Sequence, residues 1–209
     1  TISSRDPSLN VIVGNITYGN DATVTVTTNN LATGNVNITV DGKTQTVTLV
    51  NGRASATFSG LAGGDYTVTA KYLGSPDFAE STEEAQFTVL PTDPSLSVEV
   101  VNITGTGVNA TIVVTANNKA TGKVTITVSN KGSMSFDLVD GKAKWTVTGL
   151  SGCHYTVTVS YTGDRNFTNA LATAAFDVTS THLNPEIRLT TVNTTYGGPV
   201  VIIANVNSA

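Results

Sequence analysis

Thirteen residues of the chain recur with eight positions unchanged. Gly60-Leu61-Ala62-Gly63-Gly64-Asp65-Tyr66-Thr67-Val68-Thr69-Ala70-Lys71-Tyr72 returns as Gly149-Leu150-Ser151-Gly152-Cys153-His154-Tyr155-Thr156-Val157-Thr158-Val159-Ser160-Tyr161. In both copies a glycine-rich turn feeds a segment whose apolar or aromatic side chains alternate with Thr, Lys or Ser. Period-two alternation puts one face in a core and the other in water, the mark of a half-buried strand. The feature fixes a repeat architecture, and it fixes that architecture as β.

The rest of the chain falls into the same repeat. Asp6-Pro7, Asp93-Pro94 and Asn184-Pro185 mark three starts, each followed by a short strand (residues 9–13, 96–100 and 187–192) and an Asn-x-Thr turn. Proline lacks the N–H a ladder needs, which suits an edge or a domain boundary. Alternating strands follow at 22–27 and 110–115, then at 36–40 and 124–128. Asp41-Gly42 and Lys131-Gly132 turn the chain into strands at 47–50 and 134–139. Asn51-Gly52 and Asp140-Gly141 read as two-residue hairpin turns, because both central residues must accept positive φ. The next strands are expected to bury Ala54, Ala56 and Phe58 in one copy and Ala143, Trp145 and Val147 in the other. The glycine-to-tyrosine strand, a long connection and a last strand at 87–89 or 176–178 complete each copy.

Short strands at roughly 8 to 12 residue spacing, with turn signals between them and no helical period, predict an antiparallel two-sheet sandwich of about seven strands. The fold class is therefore all-β, as tandem immunoglobulin-like sandwiches. The expected division is a linker at 1–7, a first repeat at 8–90, a linker at 91–95 and a second repeat at 96–179. Residues 180–209 then form a linker and the first two strands of a truncated third repeat. Those two strands cannot enclose a core, so they are expected to pair with an exposed sheet edge of the preceding repeat or of a neighbouring molecule. Tyr66 and Tyr155 stand just after the glycine turn like the tyrosine corner of such sandwiches, whose hydroxyl bonds backbone a few residues upstream.

Composition excludes several functions. With 12% charged residues and a net charge of -4, the chain offers no basic patch, and no nucleic-acid partner is expected. No apolar run approaches the roughly 18 residues that span a bilayer, so no membrane insertion is expected of this segment. Residues 1–5 lack the apolar core of a signal peptide, and the sequence reads as an internal fragment. The single cysteine, Cys153, rules out an internal disulfide framework.

The Ala-Thr-Gly-x-Val-x-Ile-x-Val segment, the Asn/Asp-Gly-x-Ala turn, the Gly-Leu-x-x-x-x-Tyr-Thr-Val-Thr-x-x-Tyr-x-Gly strand, and Phe78-Ala79-Glu80-Ser81 or Phe167-Thr168-Asn169-Ala170 resemble the bacterial immunoglobulin-like repeats of the third group. The abundance of Thr and Asn looks most like tandem repeats of adhesin-like surface proteins of methanogenic archaea. That resemblance implies an extracellular, cell-surface stalk that extends or presents a binding region for attachment. The implied partners are glycans or proteins on other cells, and neighbouring repeats of the same chain. It brings no catalytic residues, and no cofactor or metal is expected. The alternative is a carbohydrate-binding accessory module of an extracellular enzyme, which needs an exposed aromatic platform; the only tryptophan, Trp145, alternates inward.

Each candidate site also has a structural reading. Six Asn-x-Ser/Thr sequons, Asn15, Asn37, Asn102, Asn109, Asn166 and Asn193, are about what this composition yields by chance. Asn15, Asn102 and Asn193 recur at one turn, which fits N-glycosylation and equally an Asn tolerating turn geometry. Cys153-His154 has Gly64-Asp65 in the other copy, and the second histidine, His182, lies in a linker, so neither zinc nor a Ser-His-Asp set is supported. Asp77 and Asp164 carry calcium-type oxygens without EF-hand spacing, and read as solvated turns. Phe78 and Phe167 read as plugs closing a sandwich end. A ligand surface, if present, is expected where loops 29–35 and 73–84, or 117–123 and 162–172, meet at one end, with Leu31, Asn35, Asp77, Lys119, Lys123 and Asp164 as its candidates.

Overall fold

The computed structural model describes residues 4–105, 107–180, 186–191, 196–200 and 202–207. Every regular element among them is a strand. The first sandwich holds β1 (Asn10–Ile12), β2 (Ile16–Thr17), β3 (Ala22–Thr27), β4 (Asn35–Val40), β5 (Lys43–Thr48), β6 (Arg53–Phe58), β7 (Gly64–Tyr72) and β8 (Ser81–Leu90). The second holds β9 (Ser97–Glu99), β10 (Ile103–Thr104), β11 (Val108–Thr115), β12 (Lys123–Val128), β13 (Gly132–Asp137), β14 (Lys142–Leu150), β15 (His154–Tyr161) and β16 (Ala170–Thr179). A separate hairpin follows, β17 (Glu186–Thr191) and β18 (Ile202–Asn207).

Each sandwich faces a three-stranded sheet, β1-β3-β6 or β9-β11-β14, against a five-stranded sheet, β2-β8-β7-β4-β5 or β10-β16-β15-β12-β13. The alternation read from sequence points the expected side chains inward. Val24, Val26, Val36, Ile38, Val40, Val68, Ala70 and Tyr72 are fully buried in the first core, with Ala54, Ala56 and Phe58 nearly so. Ile112, Val114, Ile126, Val157 and Val159 do the same in the second. Burying each large aliphatic side chain is worth about 1.5 to 3 kcal/mol, and such residues make up about half of each core, with alanines and aromatic rings filling the rest.

Three features differ from the sequence reading. The expected first strand is two strands: β1 pairs antiparallel with β3, then the chain crosses to the opposite sheet and β2 pairs parallel with β8. The same division occurs at β9 and β10, so each sandwich has eight strands rather than seven. Secondly, Asn51-Gly52 and Asp140-Gly141 do not join paired strands. Only the Val50–Arg53 and Val139–Lys142 bridges form across these turns, after which β5 and β6 lie in opposite sheets, as do β13 and β14. Thirdly, the last strands begin at Ser81 and Ala170, so much of the long connection is strand. The Lys131-Gly132 turn is also longer than its twin: β12 and β13 are closed by Ser129-Asn130-Lys131, with Val128 facing Gly132.

Gly52 shows why those sheet-crossing turns demand glycine. Its φ is 71°, and a Cβ would lie 2.7 Å from the Asn29 carbonyl oxygen and 2.8 Å from the Asn30 Cα. The turn is held there because Thr28 N–H donates to the Gly52 carbonyl at 2.8 Å, as Ala116 N–H does to Gly141 at 2.7 Å.

The hairpin β17–β18 keeps sandwich register, since Leu189 faces Ala204 as Val11 faces Val26. It pairs with neither edge of the second sandwich among the described residues, which overturns the expectation of augmentation onto that repeat. Ile187, Leu189 and Ile202 are exposed there.

Candidate functional site

At one end of each sandwich the expected loops do meet. Tyr72, closing β7, donates its hydroxyl to the Thr33 carbonyl at 2.7 Å, and Tyr161 donates to Thr121 at 2.9 Å. Leu73 N–H adds a bond to Asn35 O at 3.0 Å. Phe78 and Phe167 are buried beneath this end, as plugs. The segments read as linkers also enter it. Arg5 pairs in parallel with Phe78, and Thr92 with Phe167. Ser8 and Ser95 take left-handed φ of 53° and 54° while their N–H groups donate to Asp6 and Asp93 at 2.7 and 2.6 Å. This Asx turn is the work of the recurrent Asp-Pro-Ser, and it buries Pro7 and Pro94.

The six loop candidates do not converge on one cavity. Leu31 is exposed at its loop tip, with its N–H donating to Asn29 Oδ1. Asn35 accepts from Thr48 Oγ1 at 2.9 Å on the sheet face. Asp77 is exposed at the tip, its carbonyl taking Arg5 N–H at 2.9 Å. Lys119 donates its N–H to Asn117 Oδ1, and Lys123 forms an exposed ion pair with Asp137 at 2.9 Å.

Asp164 is saturated by its own loops. Oδ2 accepts Thr121 N–H and Oγ1 at 2.9 and 2.8 Å, and Oδ1 accepts the N–H groups of Asn166 and Phe167 at 2.7 and 2.9 Å. Burial pulls its carboxyl upward, but those four bonds outweigh it and hold the group below the ordinary carboxylate value. Burial, and then the Asp164 carboxylate, push the Tyr161 hydroxyl up to about 12. A raised acid favours the folded state fully below its unfolded value of 10.0, and that contribution is lost as pH climbs towards about 12. The second sandwich should therefore lose part of its stability over that window. Denaturant titrations from pH 9 to 12 check this: Tyr161→Phe should remove that part of the alkaline decline, and an unchanged decline would contradict it.

The opposite end carries the glycine turn. Tyr66 donates its hydroxyl to Ala62 O at 2.9 Å, and Tyr155 to Ser151 O at 3.3 Å, each four residues upstream. Each ring stacks on a last-strand phenylalanine, Phe87 at 5.5 Å and Phe176 at 5.2 Å. Tyr66 is half-buried beside an open polar groove of about 390 Å³ lined by Asn15, Asp65, Gln86 and Thr88 among others. Water can reach its partner there, so Tyr66→Phe should cost about 1 kcal/mol, whereas Tyr72→Phe, at a fully buried ring, should cost about 1 to 3 kcal/mol. Equal midpoints for the two variants in urea would contradict this ordering.

The recurrent asparagines have a ladder role. Asn15 Oδ1 accepts Thr88 N–H at 2.8 Å and Asn102 Oδ1 accepts Asp177 N–H at 3.0 Å, so each side chain stands in for a strand carbonyl where the chain changes sheet. Asn193 lies outside the described residues, as does His182. Asn37 accepts from Thr46 at 2.8 Å. His154 Nδ1 lies 2.8 Å from Asp177 Oδ1 on the exposed surface, a pair that no local sequence pattern marks; Cys153 beside it is exposed. Trp145 is half-buried rather than inside, tilted against Phe136 at 6.3 Å on the margin of the core. Among the described residues no group of three or more His, Cys, Asp or Glu is placed to hold a metal ion, and no helix is long and apolar enough to cross a membrane.

The two sandwiches touch where these opposite ends face each other. Gly63 N–H donates to Asn166 Oδ1 at 2.8 Å, and the Arg165 guanidinium donates to Gly63 O from Nε at 3.1 Å and Nη2 at 3.0 Å. Tyr18 meets Phe167 edge-on at 5.3 Å, packing against both cores. Half of the expected ligand end in the second repeat is therefore occupied by the first repeat.

Two facing sheets with a first strand divided between them define immunoglobulin-like sandwiches. Residues 9–90 match the family model of the bacterial Ig-like domain, group 3. Among solved structures, the chain is similar to the tetra-tandem repeat in the extending region of a large adhesion protein, with 21% identity and a TM-score of 0.47 over 96% of this chain. It spans 63% of that chain. It is also similar to the fibronectin(III)-like modules of Clostridium thermocellum CbhA, with 16% identity and a TM-score of 0.32 over 84% of this chain and 97% of that one. A third likeness is to Escherichia coli alpha-2-macroglobulin activated by porcine elastase, at 13% identity and a TM-score of 0.37, covering 91% and 23%. No curated protein matches the chain.

Proposed function

We propose that the chain is a structural segment of an extracellular, adhesin-like cell-surface protein, in which tandem sandwiches extend or present a binding region for attachment to other cells or surfaces. The observation that supports this reading most is the head-to-tail seating of one sandwich on the next, in which the turn end of the first meets the loop end of the second. A contact between unlike ends stacks units head to tail, in a line unless the rotation closes a ring. The outer faces suit such a line. Thr39 with Thr44, Thr125 with Ser135 and Thr127 with Ser133 join hydroxyls across strands at 2.8 to 2.9 Å, giving a neutral, hydroxyl-covered surface.

The test is a binding screen of the immobilised chain against a glycan array and intact microbial and host cells, with loops 29–35 and 73–80 scrambled as control. A spacer gives no binding above background. Specific binding that scrambling abolishes would replace the spacer with an adhesive module whose site is the loop end.

A further inference from the structure

We propose that the Tyr18–Gly63 end of the first sandwich is a socket for one partner, the 164–167 loop of a following sandwich, and that this contact holds the two in one fixed orientation. The proposal deepens the spacer reading by naming the surface and the partner that would make the spacer stiff.

Gly63 is the clearest sign. Its φ lies outside the left-handed region, so its own turn has no need of glycine. What forbids a side chain is the neighbouring sandwich: a Cβ on Gly63 would run into the Arg165 carbonyl. Gly63 is buried, while Gly152, at the same place in the second copy, is exposed. Both polar backbone atoms of Gly63 are engaged by the partner, the N–H by Asn166 and the carbonyl by Arg165. Tyr18 on Phe167 adds a second point of contact, and two separated contacts restrict rotation as well as distance.

The inserting loop is shaped by its own sandwich. Asp164 Oδ1 fixes the N–H groups of Asn166 and Phe167, and Thr92 N–H donates to the Asn166 carbonyl at 2.9 Å. Docking therefore orders little that is not already ordered. The first sandwich has the same loop backbone, with Arg5 N–H on Asp77 O, but carries Pro76-Asp77 where the second carries Arg165-Asn166. The socket residue varies as well. Gly105 stands where Tyr18 does, and the third repeat has Tyr196 there, fully exposed. The seat is thus specific to particular pairs of repeats.

Pulsed electron–electron resonance on the full chain tests this. Spin labels are placed through Lys43→Cys and Met134→Cys, both exposed, in a Cys153→Ser background. The parent is expected to give one narrow distance distribution. Gly63→Ala, and separately the pair Arg165→Ala with Asn166→Ala, should lose that narrow peak while both sandwiches still melt cooperatively. A broad distribution in the parent, or a peak that stays as narrow in the variants, would overturn the socket. If Gly63→Ala fails to fold, the double variant decides alone. Ligand binding in the screen above would remove the spacer reading without moving these distances, so the two ideas fail separately.

Discussion

Gly52→Ala should lower the stability of the first sandwich by about 3 kcal/mol, while Gly42→Ala, at the same φ of 71°, should cost only about 1 kcal/mol. The two positions share a backbone conformation and differ in surroundings. Around Gly42 nothing lies within 4 Å of where a methyl would sit, so alanine bears only the left-handed penalty. Around Gly52 the methyl would meet the backbone of Thr28, Asn29 and Asn30 at 2.7 to 2.9 Å, and backbone cannot swing aside as the end of a side chain can. The turn must move, and with it the Thr28–Gly52 bond that continues the β3–β6 ladder into the turn. At about 4 to 8 °C per kcal/mol for a domain this size, Gly52→Ala should melt more than 10 °C below the parent. Calorimetry of the two variants beside the parent checks it, and melting points within a degree of each other would show that crowding at the crossing turn costs nothing.

That crossing turn also marks the limit of what the chain spells out locally. Asn51-Gly52 is legible as a tight turn, because few other pairs accept two positive φ values. Nothing in the pair says whether its flanking strands stay together, and here Leu49 N–H bonds Gly34 O while the chain after Arg53 joins β3. The core is legible for the opposite reason: alternation is enforced residue by residue, so Val24, Ile38 and Val68 declare their face whatever their neighbours are. Asn15 stands out in sequence as a recurrent sequon, yet its bond to Thr88 spans 73 residues, and no local pattern marks a change of sheet. The joint is harder still. Arg165 reaches Gly63 across 102 residues, and its only trace in sequence is a difference between copies, Arg165-Asn166 against Pro76-Asp77. In this loop the differing residues bind the neighbouring repeat.

Phe167→Ala should cost the second sandwich about 3 to 5 kcal/mol, the usual loss for deleting a buried aromatic ring and leaving the space behind. The ring is 1% exposed and closes the loop end beneath Asp164, whose Oδ1 holds the Phe167 N–H. Its counterpart Phe78 is 3% exposed in the first sandwich, and Phe78→Ala should cost that sandwich a similar amount. The two rings differ in what lies outside them. Phe167 has the edge-on contact with Tyr18 of the other sandwich, worth about 0.5 to 1.5 kcal/mol beyond area burial. A double-mutant cycle of Tyr18→Ala and Phe167→Leu, followed by denaturant unfolding of the whole chain, should therefore return a coupling of that size. The same cycle with Phe78→Leu should return a smaller one, since the edge-on ring contact of Tyr18 is with Phe167. A coupling near zero for Phe167 would mean that Tyr18 acts only within its own sandwich. Whatever the second sandwich gains from the first would then rest on the Gly63 bonds to Asn166 and Arg165.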